Sequence, residues 1–160
     1  LMPVFAVEVF EVGPVGLGIM MSALGMGSTL GTIILASLGT IRYKGRFMLS
    51  CLGLMVLASA AFSVSPSLMF ALPFIILVSG GWESFATLRI SAIQIIAPDH
   101  LRGKISAINF IATGIYPLGG IILGGAAEAI GAPLATIIAS FLMGACIAGL
   151  SQRYRKLREY

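Results

Sequence analysis

The sequence predicts an all-α polytopic membrane protein. Of its 160 residues, 58% are hydrophobic and only 10% are charged, which leaves too few charges to cover a soluble globule of this size. The mean hydropathy is +1.04. Long stretches carry no charged residue, and the one between Arg46 and Glu83 is about twice as long as a single crossing of a bilayer requires. Such stretches are predicted to be membrane-spanning helices.

The first residues are predicted to be the end of a helix. Residues 1–7 are apolar but too few to cross a bilayer, so we expect them to be the last turns of a helix that begins before this sequence does. An N-terminal part of the protein is therefore expected to be missing. Glu8 and Glu11 follow in a short acidic loop, and Pro14 suits the first turn of the next helix, where its missing N–H has no helical partner.

The first complete span is predicted over residues 15–38. Gly27 and Gly31 form a GxxxG pair on it, and Gly120 and Gly124 have the same spacing on the fourth span. In lipid, small residues at this spacing let two helix backbones approach closely, because apolar side chains gain little by leaving lipid for each other. Close helix contacts are therefore predicted at both pairs.

The second and third spans are predicted over residues 47–62 and 68–89, separated by the turn-forming residues SVSPS. The third span contains Glu83, the only acidic residue well inside an apolar stretch. Because a carboxylate in lipid is costly, Glu83 and the neighbouring Trp82 are candidates for ion coupling or substrate contact. The alternative is that Glu83, about 9 Å of helix from Arg89, lies near the lipid headgroups and only pairs with polar groups of a loop.

The fourth and fifth spans are predicted over residues 105–127 and 133–150, and residues 151–160 form a basic tail. The fourth span is uncharged for about 34 Å of helix, enough for a hydrocarbon core of about 30 Å. Polar residues recur at helical spacing on two spans: Gly80, Ser84, Thr87, Ser91 and Gln94 on the third, and Asn109, Thr113 and Tyr116 on the fourth. Each set suits a substrate path or a packing face, with packing favoured on the third span and Asn109 and Tyr116 kept as candidate substrate contacts.

The ten Lys and Arg residues follow the odd-numbered spans. They are Arg42, Lys44 and Arg46, then Arg89, Arg102 and Lys104, then Arg153, Arg155, Lys156 and Arg158. The alternate loops hold Glu8, Glu11 and Glu128 and no basic residue. Because Lys and Arg are retained on the cytoplasmic side, these three segments, including the C-terminus, are predicted to be cytoplasmic. The basic residues are not gathered on one face, so no nucleic-acid partner is predicted.

Few residues in the sequence suit catalysis or metal binding. An intramembrane aspartyl protease needs two aspartates, and the sequence has only Asp99. An HExxH metalloprotease site needs two histidines, and the sequence has only His100. There is no GxSxG elbow and no phosphate-binding GxxxxGK. The sequence therefore predicts no enzyme, no metal site and no cofactor.

Two motifs resemble the major facilitator superfamily of transporters. Gln94, Pro98, Asp99, Arg102, Gly103 and Lys104 form Q-x3-PD-x2-RGK, which resembles the loop between helices ten and eleven of that family. The glycine- and proline-rich series Gly114, Pro117, Gly119, Gly120, Gly124 and Gly125 resembles the eleventh helix of its drug and siderophore exporters. The opening MPVFA looks like the end of their seventh helix.

This resemblance implies the C-terminal six-helix half of a twelve-helix transporter, with five complete spans and the end of a sixth. The implied function is alternating access, with proton-coupled export of a hydrophobic or amphiphilic small molecule across the bacterial inner membrane. Its partners would be that substrate, membrane lipid and the missing N-terminal half. The alternatives are an uptake symporter of the same fold and a non-transport structural membrane protein. Asp99, Arg102, Gly103 and Lys104 would form a gating loop, with simple charge retention as the alternative.

Overall fold

The computed structural model describes residues 2–39, 44–96 and 98–153, and every regular element in these ranges is a helix. In chain order they are α1 (Met2–Val4), a π-helical turn (Phe5–Val9), α2 (Gly13–Ser37), α3 (Lys44–Ser63), α4 (Leu68–Ile96), a 3-10 turn (Asp99–Leu101), α5 (Arg102–Gly114), α6 (Tyr116–Ile130) and α7 (Ala132–Arg153). The predictions for Arg42 and for residues 154–160 lie outside the described residues.

Within those ranges, three helices are long and apolar enough to cross a membrane: Gly13–Ser37, Gly45–Ser63 and Leu68–Ser91. Two shorter apolar helices, Pro117–Ile130 and Ala132–Ile147, follow. The prediction of an all-helical membrane protein is therefore confirmed.

The long helices pack in a row. α4 lies against α2 on one side and α3 on the other, α7 packs on α3, and α6 packs on α7. Hydroxyl groups join α3 to α7, because Ser59 Oγ and Ser140 Oγ are 2.7 Å apart. One of the two hydroxyls donates across the interface, and the other has a carbonyl of its own helix within donating distance, Val56 for Ser59 or Thr136 for Ser140, so neither is without a partner in the apolar interface.

One end of this row holds an apolar core. Phe5 and Ala6 are 1% and 0% exposed, and they pack among residues from the start of α2, the end of α3 and the start of α4. The Phe5 and Phe62 ring centroids are 4.6 Å apart. Ala127 and Ala132, at the junction of α6 and α7, complete the cluster. The turns before α2, between α3 and α4 and at Gly131 therefore lie at one end of the bundle.

The charged residues divide between the two ends. Glu8, Glu11 and Glu128 are exposed beside the core end. Arg46 and Lys104 are exposed near the starts of α3 and α5, which begin at the opposite end because successive long helices run in opposite directions. The acidic and basic segments identified in the sequence thus lie at opposite ends of the helices.

The stretch predicted as one span over residues 105–127 contains two helices. α5 ends at Gly114, Ile115 forms a turn, and α6 begins at Tyr116. The physical reason is Pro117, which has no N–H for the Thr113 carbonyl and whose ring crowds that carbonyl. Pro117 then occupies the first turn of α6, where its missing donor costs least. α4, in contrast, is longer than predicted, because it continues to Ile96, beyond the predicted end of the third span at residue 89.

Candidate functional site

Glu83 and Trp82 lie in the second half of α4, and both are half-buried. The Trp82 and Phe85 ring centroids are 6.4 Å apart at an interplanar angle of 42°. No hydrogen bond or ion pair joins the Glu83 carboxylate to another described residue. The structure thus contains a half-buried glutamate, next in sequence to a tryptophan, within a helix long enough to cross a membrane.

Close contacts on two sides hold this part of α4 in place. A Cβ added at Gly81 would lie 2.9 Å from Met55 Cγ and 3.3 Å from the Cys51 carbonyl oxygen of α3. On the other side, the buried Ser84 donates its hydroxyl to the Gly31 carbonyl of α2 at 3.2 Å. Gly80 also meets α2, since a Cβ there would lie 3.0 Å from the Gly27 carbonyl oxygen. The small residues around Glu83 therefore pack against neighbouring helices.

The glycines of the two GxxxG pairs have different surroundings. A Cβ at Gly27 would lie 2.8 Å from the Ile76 Cα, and one at Gly31 would lie 2.7 Å from the Gly80 Cα. α2 and α4 are therefore in backbone contact along this pair. Beside Gly120 and Gly124 there is open space, because an added Cβ would meet nothing within 4 Å. A close contact at that second pair stays a prediction.

Arg89 is a second charged residue on α4, and part of its side chain is buried. The sequence suggested a loop position, but α4 continues past it, and Arg89 is half-buried about 9 Å along the helix from Glu83. Its Nε is buried without a hydrogen-bond partner among the described residues. Burying such a donor costs free energy. Hydropathy alone located the predicted end of the span at this arginine and so did not reveal its burial.

Asn109 and Tyr116 lie on helices other than the one that carries Glu83. Asn109 is half-buried on α5, and its carbonyl accepts a hydrogen bond from Thr113 Oγ1 at 2.9 Å. Tyr116 is the first residue of α6, and its side chain lies outside the described part of the chain. α4 packs mainly on α2 and α3, whereas α5 packs mainly on the 3-10 turn and α6. Among the described residues, helix packing does not bring the two groups of candidate residues together.

The predicted gating loop forms a 3-10 turn followed by the start of α5. The Leu101 N–H donates to the Pro98 carbonyl at 2.9 Å, which closes the turn. Gly103 and Lys104 are exposed in the first turn of α5, while the side chains of Asp99 and Arg102 lie outside the described residues. Among the described residues, no three His, Cys, Asp or Glu side chains are placed to hold a metal ion.

Comparison with known proteins provides a family assignment. No curated protein and no solved structure matches the chain. The sequence profile of the transmembrane secretion effector family matches residues 1–159. This profile describes transporters of the major facilitator type, a class of membrane transport protein rather than of enzyme. Because the match extends over nearly the whole chain, the protein belongs to the transmembrane secretion effector family of major facilitator transporters.

Proposed function

We propose that the chain is the C-terminal six-helix half of a twelve-helix secondary transporter that works by alternating access. The observation that carries this proposal is the family match over residues 1–159. The alternation of acidic and basic segments at opposite ends of the helices supports it, since that arrangement suits a bundle that crosses a membrane repeatedly. The proposed transport is proton-coupled export of a hydrophobic or amphiphilic small molecule.

Glu83 is the proposed coupling residue. A carboxylate can bind and release a proton, and acidic residues inside the membrane-spanning segments of transporters mark proton and substrate paths. Its half-buried position within a long apolar helix supports this role, because the side chain remains partly accessible. Asn109 on α5 and Tyr116 on α6 are proposed as separate substrate contacts.

The open face of α6 is the proposed contact with the N-terminal half. Beside Gly120 and Gly124 there is room for the backbone of another helix. Large apolar side chains flank this face, and Leu118, Ile121 and Ile122 are 57%, 70% and 73% exposed. A bundle that moves against a second half would need a surface of this kind, with small residues at the line of closest approach.

Transport can be tested in inside-out membrane vesicles that contain the full-length protein. A lipophilic cationic fluorescent dye and a neutral one serve as probes, and vesicles without the protein are the control. When the vesicle interior is acidified, an exporter that exchanges protons for substrate should accumulate dye inside, and a protonophore should abolish the accumulation. Dye leaving preloaded vesicles under the same gradient would indicate an uptake symporter instead. Movement equal to that in the control vesicles would contradict transport of these compounds.

The topology follows from the same proposal and has its own test. We expect His100 to be cytoplasmic and Glu8 to be on the other side, because the basic segments lie at one end of the bundle and Lys and Arg are retained in the cytoplasm. Both side chains are exposed, so each can be replaced by cysteine in a background without Cys51 and Cys146. An impermeant maleimide should label Glu8→Cys in intact spheroplasts and His100→Cys only after permeabilisation. The opposite labelling would invert the topology.

A further inference from the structure

The break at Ile115 removes more than one bond from the helical ladder. Pro117 cannot donate to the Thr113 carbonyl. The next N–H, of Leu118, donates at 3.0 Å to the Ile115 carbonyl, one residue short of its α-helical partner, Gly114. Two successive steps of the ladder are therefore altered at a position that also contains glycine. Sharp bends in helices occur where the ladder is interrupted in this way.

The two helices that meet at this break have different packing partners. α6 packs along α7, and a tight turn at Gly131, with φ 87°, joins their ends. Ala127 anchors α6 in the apolar core. α5 packs mainly against the 3-10 turn before it and the start of α6. Its apolar side chains Ile108, Phe110 and Ile111 are 66%, 78% and 67% exposed, so α5 is held chiefly at its two ends.

We propose that residues 114–117 are a hinge about which α5 swings as a rigid lever while α6 remains packed on α7. Thr113 Oγ1 donates to the Asn109 carbonyl beside the hinge, a side-chain bond of the kind that favours helix bending. Gly103 and Lys104 lie in the first turn of α5, so the swing carries the predicted gating loop with it. The use of this motion in opening one end of the transporter rests on the proposed function, whereas the bending is a property of the helix.

The size of the motion follows from helix geometry. Ser106 lies about 13 Å along α5 from the hinge, so a bend of about 20°, at the threshold of a sharp kink, would move it by about 5 Å. Ile122 lies on the far side of the hinge on α6 and should not move relative to α3. Leu57, which is 71% exposed on α3, provides a common reference point for both measurements.

Double electron–electron resonance on the full-length protein in liposomes tests the hinge. Nitroxide labels are placed at Leu57 and Ser106, or at Leu57 and Ile122, after Cys51→Ala and Cys146→Ala. We expect the distances from Leu57 to Ser106 to spread over about 5 Å more than those from Leu57 to Ile122. Equally narrow distributions for the two pairs would overturn the proposal.

Restoring the ladder provides the second arm of the test. Gly114→Ala with Pro117→Ala should reduce the Leu57–Ser106 distribution to a single narrow maximum. The matched control is Pro133→Ala in the first turn of α7, where no helical bond is missing. An unchanged spread in the double variant would refute the hinge. The dye assay separates the two proposals: narrow distributions in a transporting protein refute only the hinge, and a swinging α5 in a protein that transports no dye counts only against the transport function.

Discussion

Gly31→Leu is expected to lower the free energy of unfolding by about 3 kcal/mol or more, because it overpacks a backbone contact. A Cβ at Gly31 would lie 2.7 Å from the Gly80 Cα and would also meet the Gly80 carbonyl oxygen, and neither atom can rotate away as a side chain can. α2 and α4 would have to separate, and the bond from Ser84 Oγ to the Gly31 carbonyl would be lost. In detergent, the midpoint of thermal unfolding should fall by about 6 °C or more.

The matched control is Gly53→Leu on α3. A Cβ there would meet nothing within 4 Å, so the change should stay within about 0.5 kcal/mol. Gly31→Ala is the more specific test of the contact, since its single added methyl group already overlaps the Gly80 backbone. An alanine variant with wild-type stability would show that α2 and α4 are not in backbone contact at this position.

Gly120→Leu extends the comparison to the second GxxxG pair. Its added side chain has open space within this chain, so a loss of stability in the full-length protein would support the proposed contact with the N-terminal half. An unfolding midpoint equal to that of the wild type would contradict that contact.

The sequence predicted a close helix contact at Gly27 and Gly31 but did not identify α4 as the partner helix. GxxxG spacing defines a flat face on one helix, and nothing local to that face specifies its partner. The partner surface on α4 is built from Gly80 and Ser84, whose spacing favoured a packing face but also suited a substrate path. The interhelical bond from Ser84 decides in favour of packing at that residue.

The break at Ile115 was harder to predict for a related reason. Proline is tolerated inside membrane helices when neighbouring groups satisfy the freed carbonyls, so the presence of Pro117 did not exclude the continuous span predicted over residues 105–127. The burial of Phe5 and Ala6 depends in turn on Phe62 and on the junction of α6 and α7, which are distant in sequence. Such contacts arise from the packing of several helices and leave no local pattern.

For the candidate site, the sequence identified the unusual residue but not its surroundings. An acidic residue in an apolar stretch is visible from composition alone, and Glu83 does lie within a long apolar helix. The separation of Glu83 from Asn109 depends on which helices pack together, and the half-burial of Arg89 depends on how far α4 continues. Neither property follows from helical periodicity.

Glu83→Gln is expected to abolish transport driven by a proton gradient. Glutamine keeps the size and hydrogen-bonding capacity of the side chain but cannot exchange a proton, so coupling should fail while the fold is retained. In proteoliposomes, gradient-driven movement of the dye that the wild type carries should fall to the level of protein-free liposomes. Counterflow of the same dye, which needs binding and alternation but no net proton movement, should continue.

Comparing gradient-driven transport with counterflow distinguishes a coupling role of Glu83 from a role in substrate binding. Glu128→Gln is the matched control, since Glu128 is exposed at the acidic end of the bundle and its replacement should leave both activities unchanged. Undiminished gradient-driven transport by Glu83→Gln would remove the coupling role and leave Glu83 as a structural residue. Loss of both activities with an unchanged unfolding midpoint would instead assign Glu83 to substrate binding, because a residue used only for coupling is not needed for counterflow.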